Sequence, residues 1–161
     1  HPLRRGNIQA CRMEKKNIIL LIIILALSIL AGLADGTRDT LAFHYTSSIF
    51  PRGDGEYLLG AGESFWNPDI SWRNKWKNGD PEQGERFLGS STFLDWTTDG
   101  WHLFQFIMLT AFQLAIALPL IMLLRLKWWW LLLAVIPLKL GFSLGFAIMF
   151  SWLLLRRGAQ A

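Results

Sequence analysis

One cysteine in 161 residues, Cys11, excludes an intramolecular disulfide and a cysteine metal cluster. Charge is scarce: 17% of residues are charged, against roughly 25% in a soluble domain. It is also unevenly placed. No acid follows Asp99, and no charge interrupts Ile18–Ala34. The chain has no phosphate-cradling Gly loop, no GxSxG elbow and no HExxH helix. It has no internal repeat of the kind that builds the inverted halves of a transporter. Nucleic acid is excluded as a partner, because the net +4 comes from basic residues flanking apolar runs and not from a groove-like basic stretch.

What is present is apolar: 52% of residues are hydrophobic, and nine are tryptophan. Residues 1–16 carry five basic residues and one acid, residues 35–100 six basic residues and eleven acids, and residues 101–161 five basic residues and no acid. Met13-Glu14-Lys15-Lys16 reads as a natural start, which would make 1–12 an upstream extension. Ile18–Ala34 is just long enough to cross a hydrocarbon core of about 30 Å at ~1.5 Å per residue. A cleaved signal peptide ending at Gly32-Leu33-Ala34 competes with this, but the run exceeds the usual h-region. Trp101–Leu124 is a second uncharged run, with Pro119 inside it. Trp128–Leu155 is a third, interrupted by Pro137 and Lys139.

The expected fold is an all-α membrane protein with about three transmembrane helices and a Trp-rich, partly helical extracytoplasmic loop between the first two. Its parts are a basic cytoplasmic N-terminus (1–16), a first span (17–34), a loop or lid (35–100), a second span (101–124), a third (128–155) and a tail (156–161). The positive-inside rule places 1–16 and Arg125–Lys127 in the cytoplasm. The third segment reads as one kinked span, with a re-entrant turn at Pro137–Gly141 as the alternative.

Within the loop, Leu41, Tyr45 and Ile49 recur every four residues, which suggests an amphipathic helix over Thr37–Phe50. Arg52-Gly53-Asp54 forms an adhesion-type triplet that arises often by chance. Asn67-Pro68 is a helix start and Asn78-Gly79 a stop. That helix would pair Asp69 with Arg73 and align Trp72 with Trp76. Thr92-x-x-Asp95 has the form of a capping box. Membrane-interface contacts are expected from Trp72, Arg73, Lys75, Trp76 and Lys77, and from Trp128, Trp129 and Trp130.

Candidate chemistry is sparse. Asp99 and His102 stand three apart at the start of the second span, with Gln113 eleven residues further on nearly the same face. With His44, and Asp95 or Glu63, they would form an acid/base or divalent-metal site. The plainer reading is a helix cap with a structural hydrogen bond. No cofactor is indicated, and the spacing names no metal. Lys139 and Gln113 stand at mid-span depth, where a cation is costly to insert. They suggest a site for a proton, ion or anionic lipid. A lysine bonded to carbonyls freed by Pro137, or snorkelling to the interface, is the alternative.

The stretch Trp66-Asn67-Pro68-Asp69-Ile70-Ser71-Trp72-Arg73-Asn74-Lys75-Trp76-Lys77-Asn78-Gly79-Asp80, with Thr98-Asp99-Gly100-Trp101-His102-Leu103-Phe104-Gln105, resembles a family of small bacterial integral membrane proteins. The resemblance implies an inner-membrane setting and brings no activity. The expected function is a non-catalytic accessory or assembly subunit with a membrane-surface lid. Its partners would be the bilayer and a second copy or a membrane complex, with Gly141/Gly145 and Ser28/Gly32 as close-approach faces. The alternatives are a membrane-surface enzyme acting on lipid or a lipid-linked substrate, and an oligomeric holin- or channel-like pore.

Overall fold

A computed structural model describes residues 2–51 and 61–148. The Arg52-Gly53-Asp54 triplet and the Arg156-Arg157 end therefore lie outside the described residues. The protein is all-helical: among the described residues no strand forms, and Trp76 and Glu85 meet in a single isolated antiparallel bridge. Among the described residues the α-helices run in order α1 (Pro2–His44), α2 (Glu63–Trp66), α3 (Pro68–Ser71), α4 (Gly100–Leu123) and α5 (Trp130–Ala147). Two of them, α1 and α4, are long and apolar enough to cross a membrane; the apolar part of α5, Trp130–Phe146, is shorter.

The chain forms two compact units, Ile29–Leu109 and the pair of segments His1–Ser28 with Thr110–Ala161. In the first unit, α1 does not stop at Ala34. No proline stands between Pro2 and Pro51, and Asp35-Gly36 is no barrier because its neighbours support the helix locally. Arg38 pairs with Asp35 one turn away at 2.8 Å. The Thr37 and Thr40 hydroxyls donate to the carbonyls of Leu33 and Gly36 at 2.8 and 2.7 Å. The expected separate helix over Thr37–Phe50 is thus the end of α1, and it closes at His44 with one tight turn, Tyr45–Ser47. Leu41 and Tyr45 are buried as their spacing suggests, but Ile49 lies past the helix and is 69% exposed.

The core of this unit gathers around Trp66, which is 2% exposed and packs with Leu41, Tyr45 and Phe50. Its ring stands 5.1 Å from Phe50, 4.9 Å edge-on from Phe65 and 6.4 Å from Phe104 of α4. The close approach needs Gly100, where an added Cβ would lie 2.7 Å from a Trp66 ring carbon. Arg38 also lies over the Trp101 ring, 5.7 Å from its centroid. The loop residues are therefore folded onto the ends of the two long helices that bound them.

The Asn67-Pro68 helix start is observed. Asn67 Oδ1 accepts from the Asp69 amide at 3.0 Å, and Pro68 occupies the first position. The helix does not reach Asn78. It tightens at Trp72–Lys75, and Trp76 turns extended at φ −111°, ψ 151°. The cause is distant in sequence: Arg86 N–H donates to the Lys75 carbonyl and Lys77 N–H to the Gly84 carbonyl, at 2.8 and 3.0 Å. Trp72 and Trp76 consequently share no helical face. Arg73 lies over the Trp72 ring at 5.3 Å instead of pairing with Asp69. The Thr92 capping box is not formed either; the turn at Asp95–Thr97 starts from Leu94 without a side-chain cap.

In the second unit, α4 ends where expected. Arg125 adopts φ 53°. Its N–H donates to the Met122 carbonyl at 3.2 Å, while that of Leu126 donates to the Ile121 carbonyl at 3.0 Å. This is a Schellman close with arginine in the position glycine usually takes. In α5 the chain is helical on both sides of Pro137. The described part of the third segment thus carries no re-entrant break at Pro137–Gly141, and its continuation beyond residue 148 lies outside the described residues.

Candidate functional site

Asp99 begins the site. It is the residue before α4, and its Oδ1 accepts from the His102 backbone N–H at 2.9 Å. That is an N-cap, which satisfies an otherwise unpaired helix amide and sets a carboxylate against the positive end of the helix dipole. Asp99 is 1% exposed, and the Thr98 hydroxyl donates to its Oδ2 at 3.2 Å.

The cap places His102 one turn along, with Nδ1 at 2.8 Å from both Asp99 carboxylate oxygens. A carboxylate only accepts, so Nδ1 carries the proton. Nε2 stands 2.9 Å from Lys75 Nζ. An ammonium only donates, so Nε2 is the acceptor and the ring is neutral. Asp95 Oδ2 lies 3.8 Å from the same Nε2. The Trp101 ring meets the imidazole edge-on at 4.8 Å.

Lys75 is held in turn by its own backbone. Its carbonyl accepts from the Ser90 hydroxyl at 2.7 Å, and Ser90 is fully buried. The preceding residue, Asn74, donates both hydrogens of its side-chain amide, to the carbonyls of Ser64 at 2.7 Å and Thr98 at 2.9 Å. Glu85 organises the returning loop. It accepts from the Gly89 amide at 2.9 Å and from the Ser91 amide and hydroxyl. These bonds, that of the Ser91 hydroxyl foremost, hold its carboxyl below its ordinary value.

The residues singled out from sequence are only partly brought together. Asp99, His102 and Asp95 converge as a cluster. His44 is exposed at the end of α1 and takes no part in the network. Glu63 instead accepts from the Asn67 side chain at 3.0 Å. Among the described residues no three His, Cys, Asp or Glu side chains are arranged to hold a metal ion. Lys75, expected at the membrane interface, points inward to His102. Trp72, Arg73 and Lys77 are exposed and Trp76 half-buried. Trp128, Trp129 and Trp130 are exposed, with Trp129 and Trp130 stacked at 4.7 Å. Gln113 and Lys139 belong to the second unit. Gln113 is 6% exposed, its Oε1 buried without a hydrogen-bond partner; Lys139 is half-buried on α5. The sequence marks Lys75 as an interfacial cation and not as a partner of His102. The two lie 27 positions apart, and no local spacing signals that contact.

The arrangement has the order carboxylate, imidazole, amine. As a proton relay it is poor, since an alkylammonium is a far weaker acid than an imidazolium. As a fastening it is good, because every polar contact involves a charged partner. A groove of about 560 Å³ lies elsewhere in this unit, lined by Gly32, Gly36, Thr37, Thr40 and Phe50, and reaches neither histidine. No protein-family model, curated protein or solved structure matches this chain.

Proposed function

We propose that this chain is a small multi-span protein of a bacterial inner membrane, acting as a non-catalytic accessory or assembly subunit. Its basic N-terminus is cytoplasmic, and the acidic region between α1 and α4 lies on the opposite side. The observation that carries the non-catalytic reading is the closure of the His102 network. Both ring nitrogens are bonded within the protein, which leaves no lone pair or proton for a substrate. The network reads as a clamp that fixes the Trp-rich loop to the start of α4.

An assembly role is supported by what the helices leave open. At Gly141 and Gly145 of α5, an added Cβ would meet nothing within 4 Å, so another helix can come close there. Cross-linking in mild detergent is expected to trap oligomers that Gly141→Leu and Gly145→Leu weaken. A strictly monomeric protein, indifferent to both changes, would overturn the assembly reading. A divalent metal or lipid retained by the wild type and lost in His102→Ala would return the network to catalysis.

A further inference from the structure

The imidazole of His102 stands between charges of opposite sign at one nitrogen. Lys75 Nζ is 2.9 Å from Nε2, and Asp95 Oδ2 is 3.8 Å from it. Only one of the two can be a partner in a given protonation state. The neutral ring, with its proton on Nδ1, offers Nε2 a lone pair that suits the ammonium. A ring that takes a second proton from solvent carries N–H at Nε2 as well. It then faces the ammonium as like charge, donor against donor, while the Asp95 carboxylate becomes the complementary acceptor.

We infer that His102 is a pH-operated latch: on protonation its Nε2 exchanges Lys75 for Asp95 and loosens residues 74–76 beside the start of α4. The surroundings favour this direction. Asp99 holds the ring from the other side at 2.8 Å, and Nδ1 carries a proton for it whether or not Nε2 is protonated, so the change is confined to Nε2. The charged or titratable groups facing the ring are Asp99 and Asp95 from the approach to α4 and Lys75 from the loop. From α1 the nearest charge fixed by contact is Arg38, on the Trp101 ring that flanks the imidazole. Two carboxylates and one ammonium around a neutral ring leave the cluster one negative charge in excess, and a proton on His102 balances it.

The mechanical consequence follows from how few side chains tie this segment to α4. Lys75 reaches His102, and Asn74 reaches the Thr98 carbonyl. Loss of the first leaves Asn74 as the side-chain tie of that stretch. The latch deepens the clamp reading and rests on it, since a catalytic His102 would show its protonation in turnover and not in the opening of the loop.

The test follows His102 by nitrogen-15 NMR of the full chain in detergent, together with backbone hydrogen exchange. As His102 gains its second proton, exchange at residues 74–76, corrected for the intrinsic effect of pH, is expected to rise about tenfold, the effect of losing one hydrogen bond to a charged group. Lys75→Met should show the raised exchange at every pH, and Asp95→Asn should blunt the rise, because the protonated ring then finds no carboxylate at Nε2. Exchange that stays flat as pH falls, or that rises as fully in Asp95→Asn as in the wild type, overturns the latch. Both readings survive a Lys75→Met chain that does not fold, because the wild type and Asp95→Asn decide the matter. Flat exchange with a metal or lipid lost in His102→Ala would instead overturn the clamp itself.

Discussion

At Gly100 one added carbon atom would run into the Trp66 core. A Cβ there meets two Trp66 ring carbons at 2.7 and 2.9 Å and the Leu41 side chain at 3.3 Å. Trp66 is held among Leu41, Tyr45, Phe50, Phe65 and Phe104 and has little room to withdraw. Gly100→Ala is expected to cost about 1–3 kcal/mol, the usual penalty of overpacking, read by thermal unfolding in detergent. Gly100→Ala combined with Trp66→Leu should cost less than the sum of the two single changes. At this scale the sequence was legible where the chemistry is local. Asn67 and Pro68 announce a helix start because cap and ring act within two residues. Asp99 and His102 announce their pairing because they stand one turn apart. Lys75 was read as an interfacial cation because its destination is set by a contact 27 residues away.

The elements show the same division between near and far causes. The end of α4 was legible at Arg125 because the apolar run stops there. Its geometry was not, since φ 53° falls to arginine where glycine would be expected. Arg125→Gly removes the steric cost of a left-handed residue and adds some chain entropy to the unfolded state. A net gain of about 0.5–1 kcal/mol in unfolding stability is expected. The helix after Asn67 ends sooner than its sequence suggests, because nothing in residues 67–79 reveals that Trp76 pairs with Glu85. Asp35-Gly36 looks like a helix boundary, yet Thr37, Arg38 and Thr40 carry α1 through it. Glu85 supplies a pH prediction at this scale. Its hydrogen bonds lower the carboxyl in the folded chain. Their stabilisation is therefore full above the ordinary carboxylate value and is lost as pH falls through the lowered one. Exchange protection of the Gly89 and Ser91 amides should fall over that acidic window, and Glu85→Gln should remove the dependence.

For the molecule as a whole, the charge pattern carries more than the folds of its parts. Apart from Glu14, acids are confined to residues 35–99, from the last turns of α1 to the start of α4, and basic residues other than Lys139 stay out of the apolar runs. If the proposed orientation holds, a lone cysteine at Lys77 in a Cys11→Ala background is labelled by a membrane-impermeant maleimide added to intact cells. One at Lys127 is labelled only after the cells are opened. The reverse pattern would invert the orientation. All-helical character was legible in the apolar runs. The folding of residues 45–51 and 61–99 onto the ends of α1 and α4 is legible only in outline, because it depends on Trp66 meeting Leu41, Phe50 and Phe104 across long stretches of chain.

Asn74 spans the carbonyls of Ser64 and Thr98 with a single NH₂ group. Exchange of that group for oxygen is the smallest chemical change the side chain can undergo, and spontaneous hydrolysis of the amide accomplishes it. The resulting carboxylate would face two carbonyl oxygens at hydrogen-bond distance, with no hydrogen to give either. A fastening made of two donated bonds thus becomes two repulsions, at the cost of one water molecule. The Asn74 fastening accordingly has a chemical lifetime as well as a thermodynamic stability.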